Sequence, residues 1–303
     1  MNSNLLVVGS VAFDSLKTRA GNRDEILGGA ATYIAMAASH FANVNLVAVV
    51  GKGDFADEHV ALLESKGVNL EGLEFAEGRT FRWAGAYADD FSTRETLDTQ
   101  LGVFEHFDPK IPAAYQGAEI VLLGNINPGV QLSVLDRLKE KPFVITDTMN
   151  LWMNIALEDL KKVIARTDLL VINDEEAVQL SGELQIRVAA EKILAMGPGA
   201  LIIKRGEHGA YLFTEETMFF SPAVPLKEVI DPTGAGDSFA GGLAGYMAGE
   251  GKTDSSTIKK GMIFGTAVAS ATCEGFGTEK TAVLTKDEVL NRYYMLLNLV
   301  STD

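Results

Sequence analysis

The chain has 303 residues, of which 47% are hydrophobic and 22% are charged, a composition typical of a globular protein. Its formal net charge of −15 argues against nucleic acid and anionic membrane surfaces as partners, because both select for basic patches. The single cysteine excludes an intramolecular disulfide and, with no signal-like N-terminus and no apolar run of about 20 residues, predicts a cytoplasmic protein outside the membrane.

The first elements are a strand and a helix joined by a polar segment. The short apolar run from Leu5 to Val8 is typical of a buried parallel strand. It leads to Asp14, and Gly28-Gly29 then opens an alanine-rich helix predicted from Ala30 to Phe41. Taken alone, Asp14 is most simply a solvated turn residue.

A glycine-rich turn after the second strand resembles a dinucleotide-binding turn. A strand from Asn45 to Val50 and a helix from Asp57 to Lys66 flank GKGDFA, which has the G-x-G-x-x-A spacing of a dinucleotide-binding turn. With Glu71 and Glu74 roughly 20 residues further on, the segment fits an NAD-dependent oxidoreductase. Against that interpretation, the turn does not follow the first strand, and Asp54 would lie close to the pyrophosphate.

The segment from Thr80 to Tyr87 predicts a strand with one aromatic face. Phe81, Trp83 and Tyr87 alternate with polar or small residues, and a second extended run, from Glu95 to Phe104, completes a hairpin-like unit. An aromatic face of this kind needs a cover, which is either the protein core or a bound partner.

The middle of the chain alternates strands and helices, which predicts an α/β fold with a mostly parallel central sheet. Each predicted strand is followed by a polar residue or a glycine at its carboxyl end. Open α/β sheets bind their ligands at the carboxyl ends of their strands. The strands and the residues that follow them are 118–124 with Asn125, 143–146 with Asp147, 168–172 with Asn173, and 200–204 with Gly206.

The stretch DPTGAGDSFAGG, residues 231–242, is the strongest chemical signal. It follows a strand-like run that ends at Ile230 and leads into a helix predicted over 238–247. The N–H groups of Gly234, Ala235 and Gly236 can approach a ligand closely, and at a helix start they form an anion site. Asp237 beside them is either a helix cap or a catalytic base.

This string resembles the C-terminal signature of the PfkB (ribokinase-like) family of sugar and nucleoside kinases, with Asp231, Thr233 and the run 234–237 matched without a gap. The resemblance extends along nearly the whole chain. It implies one domain over residues 1–303 with a three-layer α/β/α architecture and a small β-sheet lid from segments about 11–27 and 78–105. It also implies an ATP-dependent kinase that transfers the γ-phosphoryl group to a hydroxyl, normally a primary one, of a small sugar or sugar derivative.

The family resemblance assigns roles to the substrate side of the site. Asp237 would be the base, and the N–H groups of Gly234, Ala235 and Gly236 would stabilise the transferring phosphoryl group. Substrate contacts are expected from Asp14, Gly28, Gly29, Tyr33, Phe81, Trp83, Asn125 and Asp147. The family pattern often has Asn at the position of Tyr33. Because this chain departs from that pattern, the resemblance does not identify the substrate.

The nucleotide and cation side follows from the same resemblance. Asn173 and Glu176 match an Asn-x-x-Glu motif and would hold Mg²⁺ through water, since Mg²⁺ keeps several of its waters. ATP contacts are expected from Asn173, Lys204, Gly206, Gly209, Thr233, Gly234, Gly236, Ala269 and Gly275. Asp231 and Thr233 belong to a turn that binds a monovalent cation such as K⁺ in some family members.

Three interpretations remain open at this stage. A sugar kinase comes first, and a nucleoside kinase of the same fold comes second, because the aromatic residues near Trp83 could stack on a base. An NAD-dependent oxidoreductase or a non-catalytic nucleotide sensor is the alternative from another class. The expected partners are a small-molecule substrate and a second copy of the chain, paired through the lid.

Overall fold

The computed structural model describes residues 4–91 and 93–301, so Ser92 of the predicted lid lies outside the described residues. Its strands are β1 (Asn4–Val8), β2 (Ala12–Thr18), β3 (Gly21–Gly28), β4 (Asn43–Gly51), β5 (Val68–Ala76), β6 (Phe81–Tyr87), β7 (Arg94–Gln100), β8 (Ile120–Leu123), β9 (Phe143–Asp147), β10 (Leu169–Asn173), β11 (Ala200–Lys204), β12 (Ala210–Thr214) and β13 (Met218–Ser221). Its helices are α1 (Ala30–Ala38), α2 (Asp57–Ser65), α3 (Pro128–Arg137), α4 (Asn150–Ile155), α5 (Leu157–Ile164), α6 (Asp174–Ser181), α7 (Ile186–Leu194), α8 (Ala235–Glu250), α9 (Ser255–Thr272), α10 (Glu279–Val283) and α11 (Lys286–Val300).

The main sheet confirms the predicted α/β class. Its strand order is β13-β12-β11-β10-β9-β8-β1-β4-β5. The strands from β11 to β5 pair in parallel, whereas β12 pairs antiparallel with both β11 and β13. The carboxyl ends of the parallel strands therefore meet at one edge, where the predicted ligand-binding residues lie.

Both faces of this sheet are buried, which explains why its central strands are continuously apolar. On β1, Leu5 and Val7 pack with α1, α8 and α9, whereas Leu6 and Val8 pack with α3 and α5 on the opposite face. Helices α5, α6 and α7 cover β10 and β11 on that second face. The result is the predicted order of helix, sheet and helix layers.

Glycines allow α8 to lie unusually close to α1. An added Cβ on Gly245 would stand 2.6 Å from the Ala38 Cα, and one on Gly249 would stand 2.7 Å from the Phe41 carbonyl oxygen. Such distances are below van der Waals contact, so only glycine permits this spacing. The close packing fixes the start of α8 against the start of α1, which brings two parts of the site together.

A second sheet, with strand order β3-β2-β6-β7, forms the predicted lid. It is tied to the main sheet by Asp54, whose carboxylate accepts hydrogen bonds from Thr80 and, at 2.8 Å, from Arg82. The Arg82 guanidinium also bonds Glu25 on β3 at 2.6 Å. This ion-pair network holds the base of the lid in place.

Two local predictions were wrong, and two edge strands were missed. The second lid strand was expected to reach Phe104, but β7 ends at Gln100, and Gly102 with φ of 54° starts a 3₁₀ turn over Gly102–His106. The segment before Asp231 is irregular and not a strand, because the N–H of Ile230 bonds the Cys273 carbonyl instead of a neighbouring strand. The edge strands β5 and β13 were not predicted, and most of their positions are partly or fully exposed.

Among the residues that the structure describes, no helix combines the length and the apolarity required to cross a membrane.

Candidate active site

The turn before α8 is shaped by Asp231 and Gly234. The two carboxylate oxygens of Asp231 accept hydrogen bonds from the backbone N–H groups of Thr233 and Gly277, each at 2.9 Å. Gly234 has φ of 72°, a left-handed conformation that favours glycine, and an added Cβ would overlap the ring of Tyr33. The turn is therefore held rigidly before any ligand binds.

Helix α8 begins directly after this turn, three residues earlier than predicted. The Ala235 N–H bonds the Pro232 carbonyl at 3.1 Å, so it is engaged within the turn. The N–H groups of Gly236 and Asp237 have no acceptor among the described residues, as expected in the first turn of a helix. These two groups and the helix dipole favour an anion at this place.

The Asp237 carboxylate lies in the first turn of α8 and has a free acceptor. Its Oδ1 is shielded from solvent and has no hydrogen-bond partner in the described part of the chain. Burial, followed by the nearby charge of Asp147, raises the pKa of Asp237 to about 7. A buried carboxylate with an open acceptor and a pKa near neutrality has the properties of a general base.

Lys204, at the end of β11, supplies positive charge beside this helix start. Its Nζ lies 3.5 Å from Asp147 Oδ1. It also lies close to Gly236, since a Cβ added to that glycine would stand 3.1 Å from Nζ. Burial opposes its charge, but the carboxylates of Asp147, Glu176 and Asp237 outweigh burial and keep the pKa of Lys204 above its ordinary value. The ammonium is therefore charged and faces the anion site.

Asp14, from β2, approaches the start of α1. Its carboxylate lies so close to Gly28 that an added Cβ there would overlap it, and the N–H of Gly29 also faces the carboxylate. Tyr33 donates its hydroxyl hydrogen to Asp14 Oδ2 at 3.3 Å. Burial raises the pKa of Asp14 to about 7 although these two donors lower it. The structure thus brings Asp14, Gly28, Gly29 and Tyr33 together, as expected.

The lid contacts the turn before α8 through Tyr87. Thr233 Oγ1 donates a hydrogen bond to the Tyr87 hydroxyl at 3.0 Å. Trp83 lies on the same strand, but Phe81 stacks on Phe104 at 5.4 Å near the base of the lid. Phe81 therefore has a packing role in this arrangement, and Tyr87 is the lid aromatic that touches the site.

Arg94 is a site residue that the sequence analysis missed. It is the cross-strand partner of Tyr87 on β7. Its positive charge lowers the pKa of Asp14, Glu176 and Asp237, which partly offsets the effect of burial. The only available signal was one cation in a polar hairpin, which by itself is typical of a solvated strand.

Asn173 and Glu176 form a helix cap at the start of α6. The Asn173 side chain accepts from the Glu176 N–H, and Glu176 Oε2 accepts from the Asn173 N–H, each at 2.8 Å. Burial raises the pKa of Glu176 to about 7. Each side chain keeps further acceptor capacity, so the pair can serve as a cap and also bind a hydrated cation.

Mg²⁺ fits this edge of the sheet through water more readily than through a set of protein ligands. Among the described residues, no three His, Cys, Asp or Glu side chains are arranged to hold a metal directly. Several buried carboxylates with raised pKa values nevertheless share this edge, and a cation would relieve their repulsion. This donor chemistry suits a hard cation that retains its waters.

The remaining predicted residues lie around this edge. Asn125 Oδ1 accepts from Trp152 Nε1 at 2.8 Å, and its amide faces Met149 Sδ, so its side chain is already engaged. Gly206 and Gly209 form the turn between β11 and β12, where an added Cβ on Gly209 would overlap the Ser221 carbonyl. Ala269 lies on α9, and Gly275 follows that helix and contacts Lys280.

The G-x-G-x-x-A segment has a structural role. Gly51 approaches Asp54 so closely that an added Cβ would stand 2.5 Å from Oδ1. Asp54 is committed to Thr80 and Arg82, as described above. The segment therefore joins the main sheet to the lid, which disfavours the dinucleotide interpretation.

Comparisons with known proteins agree with this geometry. The family model described as pfkB family carbohydrate kinase matches residues 3–285. A cytidine kinase of Thermococcus kodakarensis is 32% identical over 81% of this chain and 89% of the relative, and a nucleoside kinase of Methanothermobacter thermautotrophicus is 26% identical over 96% and 95%. The solved structure of a putative ribokinase II from E. coli in complex with ATP and Mg²⁺ superposes with a TM-score of 0.78, at 17% identity, over 96% of this chain and 99% of that one.

Proposed function

We propose, from the premise that this chain belongs to the pfkB family of carbohydrate kinases, that it transfers the γ-phosphoryl group of ATP to the primary hydroxyl of a nucleoside. Family membership makes the chain an ATP-dependent phosphotransferase with an alcohol group as acceptor, acting on a sugar or a nucleoside. Two relatives that cover most of the chain are named as nucleoside or cytidine kinases. These relatives support placing the nucleoside ahead of a free sugar.

The observation that carries the catalytic part of the proposal is the open acceptor of Asp237. Its Oδ1 would accept the proton of the attacking hydroxyl, within hydrogen-bond reach of that oxygen. A pKa of about 7 suits this role because a substantial fraction of the carboxylate is ionised at neutral pH and is basic enough to take the proton. General-base catalysis contributes typically about 10²–10⁴-fold.

Charge on the transferring phosphoryl group would be stabilised by fixed groups at the start of α8. The free N–H groups of Gly236 and Asp237 and the ammonium of Lys204 converge there. Each donor of this kind is worth about 3 kcal/mol of the barrier. Arg94 would add a second cation from the lid, because its charge reaches the same carboxylates.

Mg²⁺, held through water by Asn173 and Glu176, would neutralise charge on the ATP phosphates. A monovalent cation near Asp231 and Thr233 stays a prediction. The carboxylate of Asp231 already bonds two backbone N–H groups, so such a site would depend on backbone carbonyls. A matched comparison of activity with and without K⁺ tests this part.

The substrate would lie between the lid and the carboxyl ends of the strands. Asp14 would accept hydrogen bonds from sugar hydroxyls, and Trp83 and Tyr87 offer rings for a base. A lid over this space has a chemical purpose, since water would otherwise compete with the acceptor hydroxyl. Pairing of two copies through the lid and a cytoplasmic location, which the single cysteine supports, are parts of the same proposal.

The test is ADP release with Mg²⁺-ATP across a panel of nucleosides and free sugars. We expect a nucleoside to raise ADP release and to yield a 5′-phosphorylated product. Asp237→Asn should retain the fold and lose at least about 100-fold in turnover. Asp287→Asn, a change at an exposed carboxylate in the first turn of α11, serves as the matched control.

Three results would change the proposal. Phosphorylation of free sugars alone would leave a kinase but exclude the nucleoside. Binding of ATP without turnover of any hydroxyl would instead support a nucleotide sensor. Near-normal turnover by Asp237→Asn would remove the base assignment whatever the substrate.

A further inference from the structure

Tyr33 links the two halves of the site in a way that bears on the sugar. Its side chain is 1% exposed, and its ring lies against Gly234 at the turn before α8. Its hydroxyl reaches 3.3 Å from Asp14 Oδ2. One buried side chain therefore spans from the anion turn to the carboxylate that we assign to the sugar hydroxyls.

The hydrogen-bonding capacity of Asp14 is already partly used. Above about pH 7 the Asp14 carboxylate is ionised and can only accept hydrogen bonds. The Gly29 N–H and the Tyr33 hydroxyl both face it, and the close backbone of Gly28 covers another part of its surface. Fewer positions remain for a substrate than a free carboxylate would offer.

Tyr33 also determines which polar groups the sugar meets. A phenol has one proton, and this proton is directed to Asp14, so the Tyr33 oxygen can only accept. Asp14 and Tyr33 together thus present acceptors and no donor. A vicinal diol has two O–H groups that each need an acceptor, and two oxygens that each need a donor. Asp14 and Tyr33 offer too few acceptors for both O–H groups and no donor for the oxygens.

We propose that the Tyr33 hydroxyl occupies the place of a second sugar hydroxyl at Asp14, so that the enzyme accepts 2′-deoxynucleosides at least as well as ribonucleosides. This inference rests on the proposed nucleoside kinase function and names the sugar that the same site prefers. The remaining acceptor of Asp14 receives the 3′-hydroxyl. The 2′-hydroxyl of a riboside would find its position taken by the phenol.

The experiment compares kcat/KM for matched pairs of 2′-deoxynucleosides and ribonucleosides in the wild type and in Tyr33→Phe. Phenylalanine keeps the ring against Gly234 and removes only the hydroxyl, which frees an acceptor of Asp14. We expect the wild type to use the deoxynucleoside with equal or higher kcat/KM. In Tyr33→Phe the ratio of riboside to deoxyriboside should rise about tenfold, the scale of one hydrogen bond to a charged group.

Tyr115→Phe is the matched control. Tyr115 is also fully buried, and its hydroxyl bonds the backbone of Asn69 and Gly72, on the β5 side of the sheet. Removing that hydroxyl lowers stability without touching the sugar, so the substrate ratio should stay at the wild-type value. A general effect of losing a buried hydroxyl is thereby separated from an effect on the sugar.

The outcomes are distinguishable from failure of the proposed function. A wild type with a higher kcat/KM for ribosides, or a ratio unchanged in Tyr33→Phe, overturns the inference while the nucleoside kinase stands. If free sugars are the only substrates, the proposed function fails, and the same comparison with ribose and 2-deoxyribose tests Tyr33 independently. The wild-type ratio alone decides the matter if Tyr33→Phe does not fold.

Discussion

Two carboxylates of the site, Asp14 and Asp237, combine burial with neighbouring groups that lower their pKa, and burial prevails. The pKa values of Asp14 and Asp237 both rise to about 7 because each lies in a region of low solvent access. Arg94 lowers both pKa values, but by less than burial raises them. The protonation state of the site therefore changes within the physiological range.

Activity should consequently depend on pH near neutrality. A raised pKa means that Asp237 is protonated below about pH 7, and a protonated carboxyl cannot accept the proton of the substrate hydroxyl. We expect kcat/KM for the acceptor to fall with decreasing pH below about 7, by roughly tenfold per unit for one group, and to level off above it. A kcat/KM profile from about pH 5 to about pH 9 measures this, and a flat profile down to about pH 5 would contradict the assignment.

The lid is the element that delivers the second cation. Arg94→Ala should reduce turnover by at least about tenfold, because a guanidinium near the transferring phosphoryl group stabilises charge that develops there. Binding of a non-hydrolysable ATP analogue should weaken more than binding of ADP, since only the former has the γ-phosphate. Arg79→Ala, at an exposed arginine near the base of the lid, is the control and should leave both properties unchanged.

If Arg94→Ala weakens binding of ADP and of the ATP analogue equally, Arg94 contacts a part of the nucleotide other than the γ-phosphate. Full activity of Arg94→Ala would restrict the arginine to packing on Trp83, whose ring centre lies 5.3 Å from the guanidinium carbon.

The contact between α1 and α8 makes a separate stability prediction. Gly245→Ala would place a methyl group 2.6 Å from the Ala38 Cα, which forces the two helices apart. Alanine has the better helix propensity, but the backbone clash dominates, and we expect a net loss of about 1–3 kcal/mol in the free energy of unfolding. Chemical denaturation of Gly245→Ala measures it, with Gly117→Ala, where an added Cβ meets nothing within 4 Å, as the control. Unchanged stability would show that the helices can separate freely.

At the scale of the whole molecule, an acidic chain binds a polyanionic substrate. The net charge of −15 repels ATP at long range, so attraction must come from local groups. We propose that Lys204 and the start of α8, with Arg94 from the lid, provide this attraction. The net charge of the whole chain thus argues against nucleic acid as a partner, whereas positive groups near the site can still attract the phosphates of ATP.

The proposed pairing through the lid belongs to the same scale. Leu97 and Leu101 are 55% and 42% exposed on or beside β7, where a second copy would cover them. We expect a dimer in sedimentation velocity and a monomer for the double variant Leu97→Lys and Leu101→Lys. Leu184→Lys, at an exposed leucine between α6 and α7, should remain dimeric. A monomeric wild type, or a dimeric double variant, would contradict pairing through this surface.

Much of the fold followed from local patterns. The continuous apolar runs of β1, β9, β10 and β11 predict buried parallel strands, because both faces of such strands are covered. Edge strands and the irregular segment before Asp231 were missed or misassigned, since exposure on one side leaves no distinct pattern. The predicted strand before the signature turn shows that an apolar run by itself does not determine hydrogen-bond partners.

The sequence alone determined the class of chemistry, because the signature from Asp231 to Asp237 is contiguous and its backbone requirements are local. Only the tertiary structure decided how distant residues meet. Tyr33 reaches Asp14 because the pairing of β2 with β3 places Asp14 beside Gly28, directly before α1. Arg94 is brought near the site by the pairing of β7 with β6 in the lid. Such contacts depend on the packing of whole elements, which no local pattern of residues encodes.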